Sequence, residues 1–344
     1  MQGDAFWAFI DGVKVLITGG SGFLGRHLIQ ALKRNGIEDI RIFCRHVCED
    51  LAQNGVEVHY GDLTDFEAIS NAVKACEVVF HVAAKAGVWG SYKNYYRANV
   101  EGTLNVLKAC QHWGVKKLVY TSTPSVVFNG QSLSNVTEST PYGKHWLCAY
   151  AKTKRIAEEA VLRANGENGL CTVALRPHLI WGPGDQHLIP NLLKLVRKGL
   201  LFKVGDGNNW VDVSYVENVA DAHVMAMNAL GNGKIDGKAY FISQDDPVRL
   251  WDWINELLGR LNLPRVQKRI PFRVAYAMGA CFELVYKLLH ISAQPPMTRF
   301  VATELSKDHY FSMAAAKMDL HYLPKISNEE GMQKLVTWIK SSAM

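Results

Sequence analysis

Hydrophobic positions come in alternating blocks through the first half of the chain. The run Val13–Thr18 is largely apolar and β-branched, and it ends at a cluster of glycines. A short run of this kind, bounded by turn residues, is typical of a buried parallel strand. Apolar residues at helical spacing follow over Phe23–Lys33. We therefore predict a strand, a glycine-rich turn and a helix in this order.

The same alternation continues to about residue 177. The further strands that we predict are Asp39–Cys44, Val56–Tyr60, Val78–Val82, Leu118–Thr121 and Thr172–Leu175, and the further helices are Phe66–Ala75, Ala98–Trp113 and Ala151–Ala164. Strands that alternate with helices are typical of a parallel sheet covered on both faces. The predicted fold is therefore α/β, with a Rossmann-type, doubly wound parallel sheet.

The alternation weakens after Arg176-Pro177. Val211–Val216 is predicted as one more strand, and from about Pro247 the pattern indicates mostly helices separated by proline-containing loops. We predict a sheet domain made of residues 13–180 plus 211–245. A smaller, mostly helical domain then comprises residues 181–210 plus 246–344.

One apolar segment of the helical region could be more than core. Val274–Phe282 is uncharged, and apolar residues continue to Leu289, although Glu283 and Lys287 interrupt the run. The segment is too short to cross a bilayer. We interpret it as a core or lid helix, and a peripheral contact with a membrane surface is the alternative.

Composition and charge exclude several classes of protein. With 48% hydrophobic and 20% charged residues, the chain resembles ordinary soluble proteins. The net charge of +6 is spread along the chain without a basic run, so nucleic acid is not an expected partner. Met1–Gly12 lacks the basic start of a signal peptide and is interpreted as a short extension. The seven dispersed cysteines indicate reduced thiols and a cytoplasmic location.

The glycine cluster after the first strand carries the first chemical signal. Its sequence, Thr18–Gly25, fits both Gly-x-Gly-x-x-Gly and Gly-x-x-Gly-x-x-Gly at a strand-to-helix junction. Glycines let backbone N–H groups approach a pyrophosphate, and the helix N-terminus favours negative charge. A glycine turn without a ligand is the alternative. The residues predicted to bind a dinucleotide here are Gly19, Ser21, Gly22, Phe23, Leu24 and Gly25.

The ends of the next strands indicate which dinucleotide binds. The second strand ends in Cys44-Arg45 rather than in a carboxylate, and Arg45 can pair with a 2′-phosphate. We therefore predict NADP, with NAD as the alternative. Asp62, followed by Leu63, can accept a hydrogen bond from adenine, or it can cap the helix that begins at Phe66. Ala83 is small enough to let the backbone lie against the cofactor, and Lys85 either faces the substrate or is merely exposed.

A tyrosine and a lysine supply candidate catalytic groups. Lys154 follows Tyr150 by four residues, so both lie on one face of a helix. A nearby cation lowers the pKa of a phenol, which suits a general acid or base in hydride-transfer chemistry. Thr123 is our candidate for the hydroxyl that orients the reacting oxygen, with Ser122 and Ser125 as alternatives. No metal site is predicted.

In combination, these motifs resemble those of extended short-chain dehydrogenases/reductases of the 3β-hydroxysteroid dehydrogenase-like branch. The motifs are Thr18–Gly25, Asp62-Leu63, His81–Ala84, Asn99, Tyr120–Thr123, Tyr150 with Lys154, Arg176-Pro177, Val211–Asn218, Lys238–Ser243 and Pro296–Arg299. Together they resemble sterol 4-carboxylate 3-dehydrogenases, and still more the bacterial 2-alkyl-3-oxoalkanoate reductases. The stretches His81–Gly90 and Trp181–Gln186 favour the bacterial group.

The resemblance implies roles for individual residues. Gly19, Gly22 and Gly25 would hold the pyrophosphate, and Asp62 the adenine. The implied catalytic residues are Thr123, Tyr150 and Lys154, while Pro177 lies near the nicotinamide carboxamide and Asn99 supports the site. Two positions depart from the family pattern. Thr123 stands where serine is common, and Arg45 follows a position where sterol enzymes usually carry aspartate, which favours an NADPH-dependent reductase.

These observations predict an enzyme that interconverts a 3-hydroxy and a 3-oxo group on an apolar substrate, a steroid or a 2-alkyl-3-oxoalkanoate. The apolar substrate is inferred from aromatic residues of the second domain, namely Trp251, Trp253, Phe272, Tyr276, Phe282 and Tyr286. One alternative is a nucleotide-sugar epimerase or dehydratase on the same scaffold, and another is a non-catalytic NADP-sensing protein. By family analogy, the helices Ala98–Trp113 and Ala151–Ala164 would pair in a homodimer.

Overall fold

A computed structural model describes residues 12–342. The predicted N-terminal extension, apart from Gly12, and residues 343–344 lie outside this range.

The strands are β1 (Val15–Thr18), β2 (Ile40–Cys44), β3 (Glu57–Tyr60), β4 (Val78–His81), β5 (Lys117–Thr121), β6 (Leu133–Val136), β7 (Cys171–Pro177), β8 (Ile180–Trp181), β9 (Lys203–Val204), β10 (Trp210–Val211), β11 (Ser214–Tyr215), β12 (Lys238–Ile242), β13 (Val248–Arg249), β14 (Arg269–Ile270) and β15 (His309–Phe311). The helices are α1 (Phe23–Arg34), α2 (Glu49–Gln53), α3 (Phe66–Val73), α4 (Tyr92–Tyr96), α5 (Gly102–Trp113), α6 (Ala149–Arg163), α7 (Leu188–Arg197), α8 (Val216–Ala229), α9 (Leu250–Arg260), α10 (Phe272–Leu288), α11 (Arg299–Glu304), α12 (Ala314–Leu320) and α13 (Asn328–Ser342).

A seven-stranded parallel sheet forms the centre of the fold, in the order β12-β7-β5-β4-β1-β2-β3. Strands β1, β2 and β4 are buried at every position, as expected for a sheet with helices on both faces. The predicted Rossmann-type α/β fold is therefore confirmed.

The strand order reverses next to β1. From β1 the chain adds β2 and β3 on one side, and it then crosses over to add β4, β5, β7 and β12 on the other. The register pairs Val15 with Ile40 of β2 and with Val78 of β4. In open parallel sheets, ligands bind at the carboxyl ends of the strands where the order reverses. The fold therefore places a crevice beyond the ends of β1 and β4.

Helix α1 illustrates how the sequence pattern produces an element beside this crevice. Its apolar side chains at Leu24, Leu28, Ile29 and Leu32 are buried on one face, which packs towards the sheet. The helix begins directly after Gly22 and has no acidic residue in its first turn. Its N-terminal end therefore keeps a positive electrostatic character.

Five elements differ from the prediction. The predicted strand Val211–Val216 is wrong: β10 and β11 are two-residue strands in different sheets, and helix α8 begins at Val216. The predicted helix Ala98–Trp113 starts earlier, because α4 and a π-helical stretch, Arg97–Glu101, continue into α5. Helices α2, α7 and α8 were not predicted. The helical pattern of α2 and α7 was obscured by the loop residues at their ends. Helix α8 begins with a β-branched residue, which is typical of a strand.

The C-terminal part is largely helical, as predicted, and has a core of its own. Buried there are Trp181, Tyr215, Trp251, Trp253 and Leu257. A four-stranded sheet in the order β13-β10-β15-β6 joins this part to the first half, because β6 comes from the first half of the chain. The residue ranges of the two domains stay a prediction.

Helix α10 contains the apolar segment that was interpreted as core. Among its residues only Ala275, Gly279 and Glu283 are buried, whereas Leu284 is 58% exposed and Leu288 is 67% exposed. The core interpretation is therefore wrong, since a core helix would bury its apolar stripe, whereas the lid interpretation and the membrane contact stay predictions. No helix within residues 12–342 is long and apolar enough to cross a membrane. All seven cysteines are free thiols.

Candidate active site

A cleft of about 930 Å³ lies at the carboxyl ends of the sheet, where the strand order reverses. Residues from the ends of β1, β2, β3, β4, β5 and β7 and from the start of α6 line this cleft. The structure brings together in it every residue that was predicted to bind cofactor or act in catalysis, namely Gly19, Ser21, Gly22, Phe23, Leu24, Gly25, Arg45, Asp62, Leu63, Ala83, Thr123, Tyr150, Lys154 and Pro177.

The glycine turn is packed too closely for side chains. Gly19 has a φ of +72°, and a Cβ built there would lie 2.9 Å from the Cα of Ala83. A Cβ on Gly25 would lie 2.6 Å from the Cα of Gly20 and would also collide with the carbonyl oxygen of Gly19. The absence of side chains lets backbone N–H groups face the cleft beside the N-terminus of α1. This cradle fits the pyrophosphate of a dinucleotide.

Hydroxyl and imidazole groups fix the end of β4 against the turn. The backbone N–H of Ala83 donates to Thr18 Oγ1 at 3.2 Å, and Thr18 Oγ1 is hydrogen-bonded to His81 Nδ1 at 2.7 Å. His81 is fully buried, and burial lowers its pKa to about 3. A neutral imidazole therefore links β1 to β4 without placing a charge below the cleft.

Charges at the β2 and β3 end of the cleft surround one carboxylate. Asp62 accepts hydrogen bonds from Thr64 N at 2.9 Å and from Thr64 Oγ1 at 2.7 Å. These bonds, with smaller contributions from the cations Arg45 and Arg97, lower the pKa of Asp62. The capping role that was considered for Asp62 belongs to Asp65, which accepts from Ala68 N. Both bonds from Thr64 use Oδ1 of Asp62, and the residue lines the cleft.

The hydroxyl residues after β5 occupy three different environments. Thr123 lines the cleft and is hydrogen-bonded to Tyr150, and it also donates to Ser125 Oγ at 3.2 Å. Ser122 lines the cleft too, and its buried Oγ has no partner in the described structure. Ser125 does not line the cleft. Of the three candidates, Thr123 is the one that contacts Tyr150.

Tyr150 is held in its neutral form. Burial raises the pKa of Tyr150 to about 12, although the hydrogen bond with Thr123 opposes this rise. The predicted lowering of this pKa by Lys154 is therefore wrong for the structure described. Helical spacing does place both residues on α6, but loss of hydration of the phenolate outweighs the other influences.

Lys154 is directed at the sheet instead. Its side chain is buried, and Nζ donates to the backbone oxygen of Thr121 at 2.6 Å while lying 4.1 Å from the centre of the Tyr120 ring. Burial lowers the pKa of Lys154 to about 7, and the nearby carboxylate of Glu158 opposes this shift. Near neutral pH this amine can therefore both gain and lose a proton.

Behind Lys154 lies a buried ion pair that the sequence did not reveal. Arg176 Nε donates to Glu158 Oε2 at 3.0 Å, and Tyr142 donates from its hydroxyl to Glu158 Oε1 at 2.7 Å. Both charged side chains are almost completely buried. Because a buried pair of this kind fixes its neighbours, the network anchors the middle of α6 to β7.

Asn99, which the family resemblance marked as a supporting residue, does not line the cleft. It is buried, and its amide binds both backbone groups of Lys85: Lys85 N donates to Oδ1 at 2.7 Å, and Nδ2 donates to Lys85 O at 3.1 Å. Asn99 Nδ2 also donates to Thr153 Oγ1 at 3.1 Å. Asn99 therefore links the loop after β4 to helix α6.

Several residues of the cleft had no sequence signal. They come from helix α4, the π-helical stretch, strand β8 and the loop after it, and they are Asn94, Arg97, Ile180 and His187. Conversely, the aromatic residues Trp251 and Trp253 lie in the C-terminal core and not in this cleft. These two residues therefore give no support to the inference of an apolar substrate, whereas Tyr286 lies edge-on to Trp89 in the loop after β4.

One group of side chains within residues 12–342 has the composition of a metal site. His178 Nε2 and His309 Nδ1 lie 2.6 Å apart, and His309 Nε2 is hydrogen-bonded to the backbone oxygen of Glu304 at 2.8 Å. Two nitrogens bound to one tetrahedral zinc ion would lie about 3.3 Å apart, given Zn–N bonds of about 2.0 Å. The shorter spacing is that of a hydrogen bond between the two rings.

The residues of the cleft lie within the range that a known family profile matches. A sequence profile described as the 3-beta hydroxysteroid dehydrogenase/isomerase family matches residues 16–273. This range contains every residue placed in the cleft above.

Curated relatives are similar over almost the whole chain. A 2-alkyl-3-oxoalkanoate reductase from Stenotrophomonas maltophilia is 46% identical over 328 residues, which cover 94% of this chain and 98% of that protein. A protein with the same description from Shewanella oneidensis is 46% identical, with 93% and 84% coverage. A decarboxylating sterol-4-alpha-carboxylate 3-dehydrogenase from Mus musculus is 34% identical, with 94% and 90% coverage.

Solved structures are similar in fold at lower identity. A UDP-glucuronic acid 4-epimerase from Bacillus cereus in complex with NAD matches with a TM-score of 0.74 and 22% identity, covering 96% of this chain and 99% of that one. MoeE5 in complex with UDP-glucose and NAD matches with a TM-score of 0.73 and 23% identity, covering 96% and 100%. At these identities the likeness concerns the fold alone.

Proposed function

The chain belongs to the 3-beta hydroxysteroid dehydrogenase/isomerase family and is an NAD(P)-dependent oxidoreductase, and on that premise we propose that it reduces the 3-oxo group of 2-alkyl-3-oxoalkanoates. The observation that carries the reaction type is the meeting of Thr123, Tyr150 and Lys154 with the glycine turn in one cleft. The choice of substrate rests on the two bacterial relatives at 46% identity.

The cofactor is proposed to lie across the carboxyl ends of the strands. Its pyrophosphate would lie against Gly19, Gly22 and Gly25, where the turn excludes side chains. Asp62 would receive the adenine amino group, and Pro177 would lie near the nicotinamide. When bound, the reduced cofactor supplies the hydride that the ketone carbon receives.

Tyr150 is proposed to give the proton. With a pKa of about 12 it is a neutral phenol at physiological pH, which is the form that can donate to the ketone oxygen as the carbon accepts hydride. The hydroxyl of Thr123 would donate a second hydrogen bond to the same oxygen and orient it. Lys154 would bind the cofactor ribose next to the end of β5. The product is the 3-hydroxy acid.

NADP is proposed rather than NAD. Arg45 is an exposed cation on the wall of the cleft directly after β2, and Arg97 is a second cation near the same carboxylate of Asp62. Two guanidinium groups suit a 2′-phosphate because each can form charge-assisted hydrogen bonds with it.

The rival interpretations have less support. The epimerase reported above is similar at 22% identity, whereas the relatives at 34–46% identity are named dehydrogenases or reductases. A steroid substrate remains the second candidate, because the sterol dehydrogenase of the mouse covers the same 94% of the chain. In both named substrate classes a carboxylate is attached to the carbon next to the one that bears the oxygen function.

Two further partners are proposed. The exposed stripe of α10, which includes Val274, Met278, Val285 and Leu288, would lie on an anionic membrane surface, since its exposed charges are the cations Arg273 and Lys287. Its only acidic residue, Glu283, is buried and paired with Arg299. A homodimer through α5 and α6 and a cytoplasmic location stay proposals from family analogy and cysteine content.

The test is steady-state turnover in both directions. NADPH and NADH oxidation would be followed with a 2-alkyl-3-oxoalkanoate and with a 3-oxosteroid, and NADP⁺ reduction with the stable 2-alkyl-3-hydroxyalkanoate. Turnover of the fatty acid pair, preferentially with NADPH, is the expected result. Turnover of the steroid alone would move the protein to the sterol dehydrogenases.

A further inference from the structure

Lys85 is a cation of the cleft that has no proposed role in binding the cofactor. It follows strand β4, and Thr123 follows the neighbouring strand β5, whose Tyr120 pairs with His81 of β4. We propose that the Lys85 ammonium binds the carboxylate of the substrate while the 3-oxo group meets Tyr150 and Thr123. This assignment rests on the function proposed above and names the group that selects β-oxo acids.

The backbone of Lys85 is fixed relative to Tyr150. Asn99 binds both the N–H and the carbonyl of Lys85, and it also donates to Thr153 Oγ1. Thr153 Oγ1 lies within hydrogen-bond distance of the Tyr150 carbonyl oxygen, at 3.0 Å. One buried amide therefore connects the loop that carries Lys85 to the turn of α6 that carries Tyr150.

The Lys85 side chain is not engaged in an ion pair. Its Nζ lies 5.4 Å from the centre of the Tyr95 ring, and no carboxylate within residues 12–342 lies within 4.0 Å of it. An exposed ammonium over a ring gains little from this contact, so a bound carboxylate can recruit it easily.

The other cations of the cleft are occupied or lie elsewhere. Arg26 pairs with Asp50, and Arg97 lies with Arg45 at the Asp62 end of the cleft. Lys154 is buried against Thr121. Arg45 follows β2, which is two strands from β4 on the far side of β1, and strands lie about 4.8 Å apart. Lys85 is therefore the cation on the β4–β5 side, where Thr123 lies.

The chemistry of a β-oxo acid requires a cation at this place. Its carboxylate and its ketone are separated by one carbon, so a group that binds the first must lie close to the proton donor for the second. In decarboxylation the C1–C2 bond breaks, its electron pair forms the enolate and CO₂ leaves. An ion pair stabilises the carboxylate before this step and so slows the loss of CO₂ until hydride has been accepted.

The test compares an acid with its neutral ester. The parent, Lys85→Met, Lys85→Arg and the control Lys152→Met would be assayed with NADP⁺ and a 2-alkyl-3-hydroxyalkanoate or its methyl ester. Lys152 is a suitable control because it also lies over a tyrosine ring, that of Tyr92, but does not line the cleft. Thermal unfolding and NADP⁺ binding would confirm that each variant is folded.

We expect Lys85→Met to raise the KM for the acid about 10- to 100-fold, the size of one charge-assisted contact, and to leave kcat/KM for the ester unchanged. Lys85→Arg should keep most of the preference for the acid, and Lys152→Met should match the parent. Calorimetric titration of the hydroxy acid should weaken by the same factor in Lys85→Met.

Two other outcomes separate the inference from the function. If the parent oxidises the acid and Lys85→Met keeps the same acid-to-ester ratio, the assignment of Lys85 is wrong and the proposed function stands. If the parent oxidises neither compound, the proposed function fails, and this inference fails with it.

Discussion

Lys154 donates from Nζ to the backbone oxygen of Thr121 over 2.6 Å, so its amine is fixed to the end of a strand and not to the tyrosine four residues before it. Burial then lowers the pKa of Lys154 to about 7 and raises that of Tyr150 to about 12. The two groups thus keep their protons in the opposite order to free amino acids, with the phenol holding its proton more tightly than the amine.

The first prediction concerns stability and pH. Between about pH 7 and pH 10.4, Lys154 is neutral in the folded protein and protonated in the unfolded chain. Unfolding takes up a proton in this window, so its free energy rises with pH, by at most about 1.4 kcal/mol per unit from this group. Denaturant unfolding of the cofactor-free protein should show this rise relative to Lys154→Met. Lys152→Met on the same helix should run parallel to the parent, and equal slopes for the parent and Lys154→Met would contradict the assignment.

The second prediction concerns the proton donor. Tyr150→Phe removes the hydroxyl that would protonate the ketone, and positioned acids contribute about 10²- to 10⁴-fold. We expect kcat to fall by about that factor while NADPH binding, followed by fluorescence titration, changes little. Tyr92→Phe is the control, since Tyr92 is exposed near α6 but does not line the cleft. Near-normal turnover by Tyr150→Phe would contradict the proposed mechanism.

The third prediction concerns the choice between the two dinucleotides. Arg45→Ala should lower the ratio of kcat/KM for NADPH to that for NADH about 10- to 100-fold, because a charge-assisted contact to the 2′-phosphate is lost. Arg34→Ala should leave the ratio unchanged, since Arg34 pairs with Asp221 outside the cleft. A parent enzyme that prefers NADH would show that Arg45 is only a surface residue.

The fourth prediction compares two helical glycines. A Cβ on Gly25 would collide with the glycine turn, so Gly25→Ala should cost about 1–3 kcal/mol and weaken dinucleotide binding. A Cβ on Gly259 in α9 would meet nothing closer than 3.9 Å, so Gly259→Ala should stabilise the protein by up to about 1 kcal/mol. Thermal unfolding with and without NADP⁺ distinguishes the two, and equal shifts would refute the close packing.

The fifth prediction concerns the exposed stripe of α10. Leu284→Ser with Leu288→Ser should reduce co-sedimentation with vesicles of anionic phospholipid by several-fold, because two large apolar side chains leave the interface. Met318→Ser with Leu323→Ser is a matched control, since these residues are 66% and 65% exposed elsewhere. Absence of vesicle binding by the parent protein would remove the membrane proposal, and a concentration-dependent change in mass would point to a second copy of the chain.

The sheet and the glycine turn could be predicted because their signals are local. Val15–Thr18 is buried at every position, and Gly19 has a backbone conformation that favours glycine. Most residues of the cleft could be named because they follow the ends of parallel strands, where the topology brings them together. Tyr150 and Lys154 were named from their spacing on one helix.

Other features depend on packing that a sequence pattern does not contain. The direction of Lys154 depends on its hydrogen bond to the backbone oxygen of Thr121, which lies 33 residues earlier in the chain. Arg97, which lines the cleft, lies at the start of a π-helical stretch that the sequence pattern did not predict. The sequence looks the same whether the aromatic residues Trp251 and Trp253 line a pocket or a core. In the structure both are buried in the C-terminal core.

The pairing of β12 with β7 has a consequence during synthesis. In the register Lys238 lies opposite Val173, so the strand that covers β7 is made only after the chain from residue 178 to residue 237. At about 5–20 residues per second, this takes roughly 3–12 s. For that time the growing chain has an open parallel edge, with unpaired amides that other chains can join. Once β12 is in place, its own outer edge is partly closed, because Phe241 N donates to Glu138 at 2.9 Å. Crowding of ribosomes on one message is therefore expected to increase aggregation of this protein more than heating of the finished molecule would suggest.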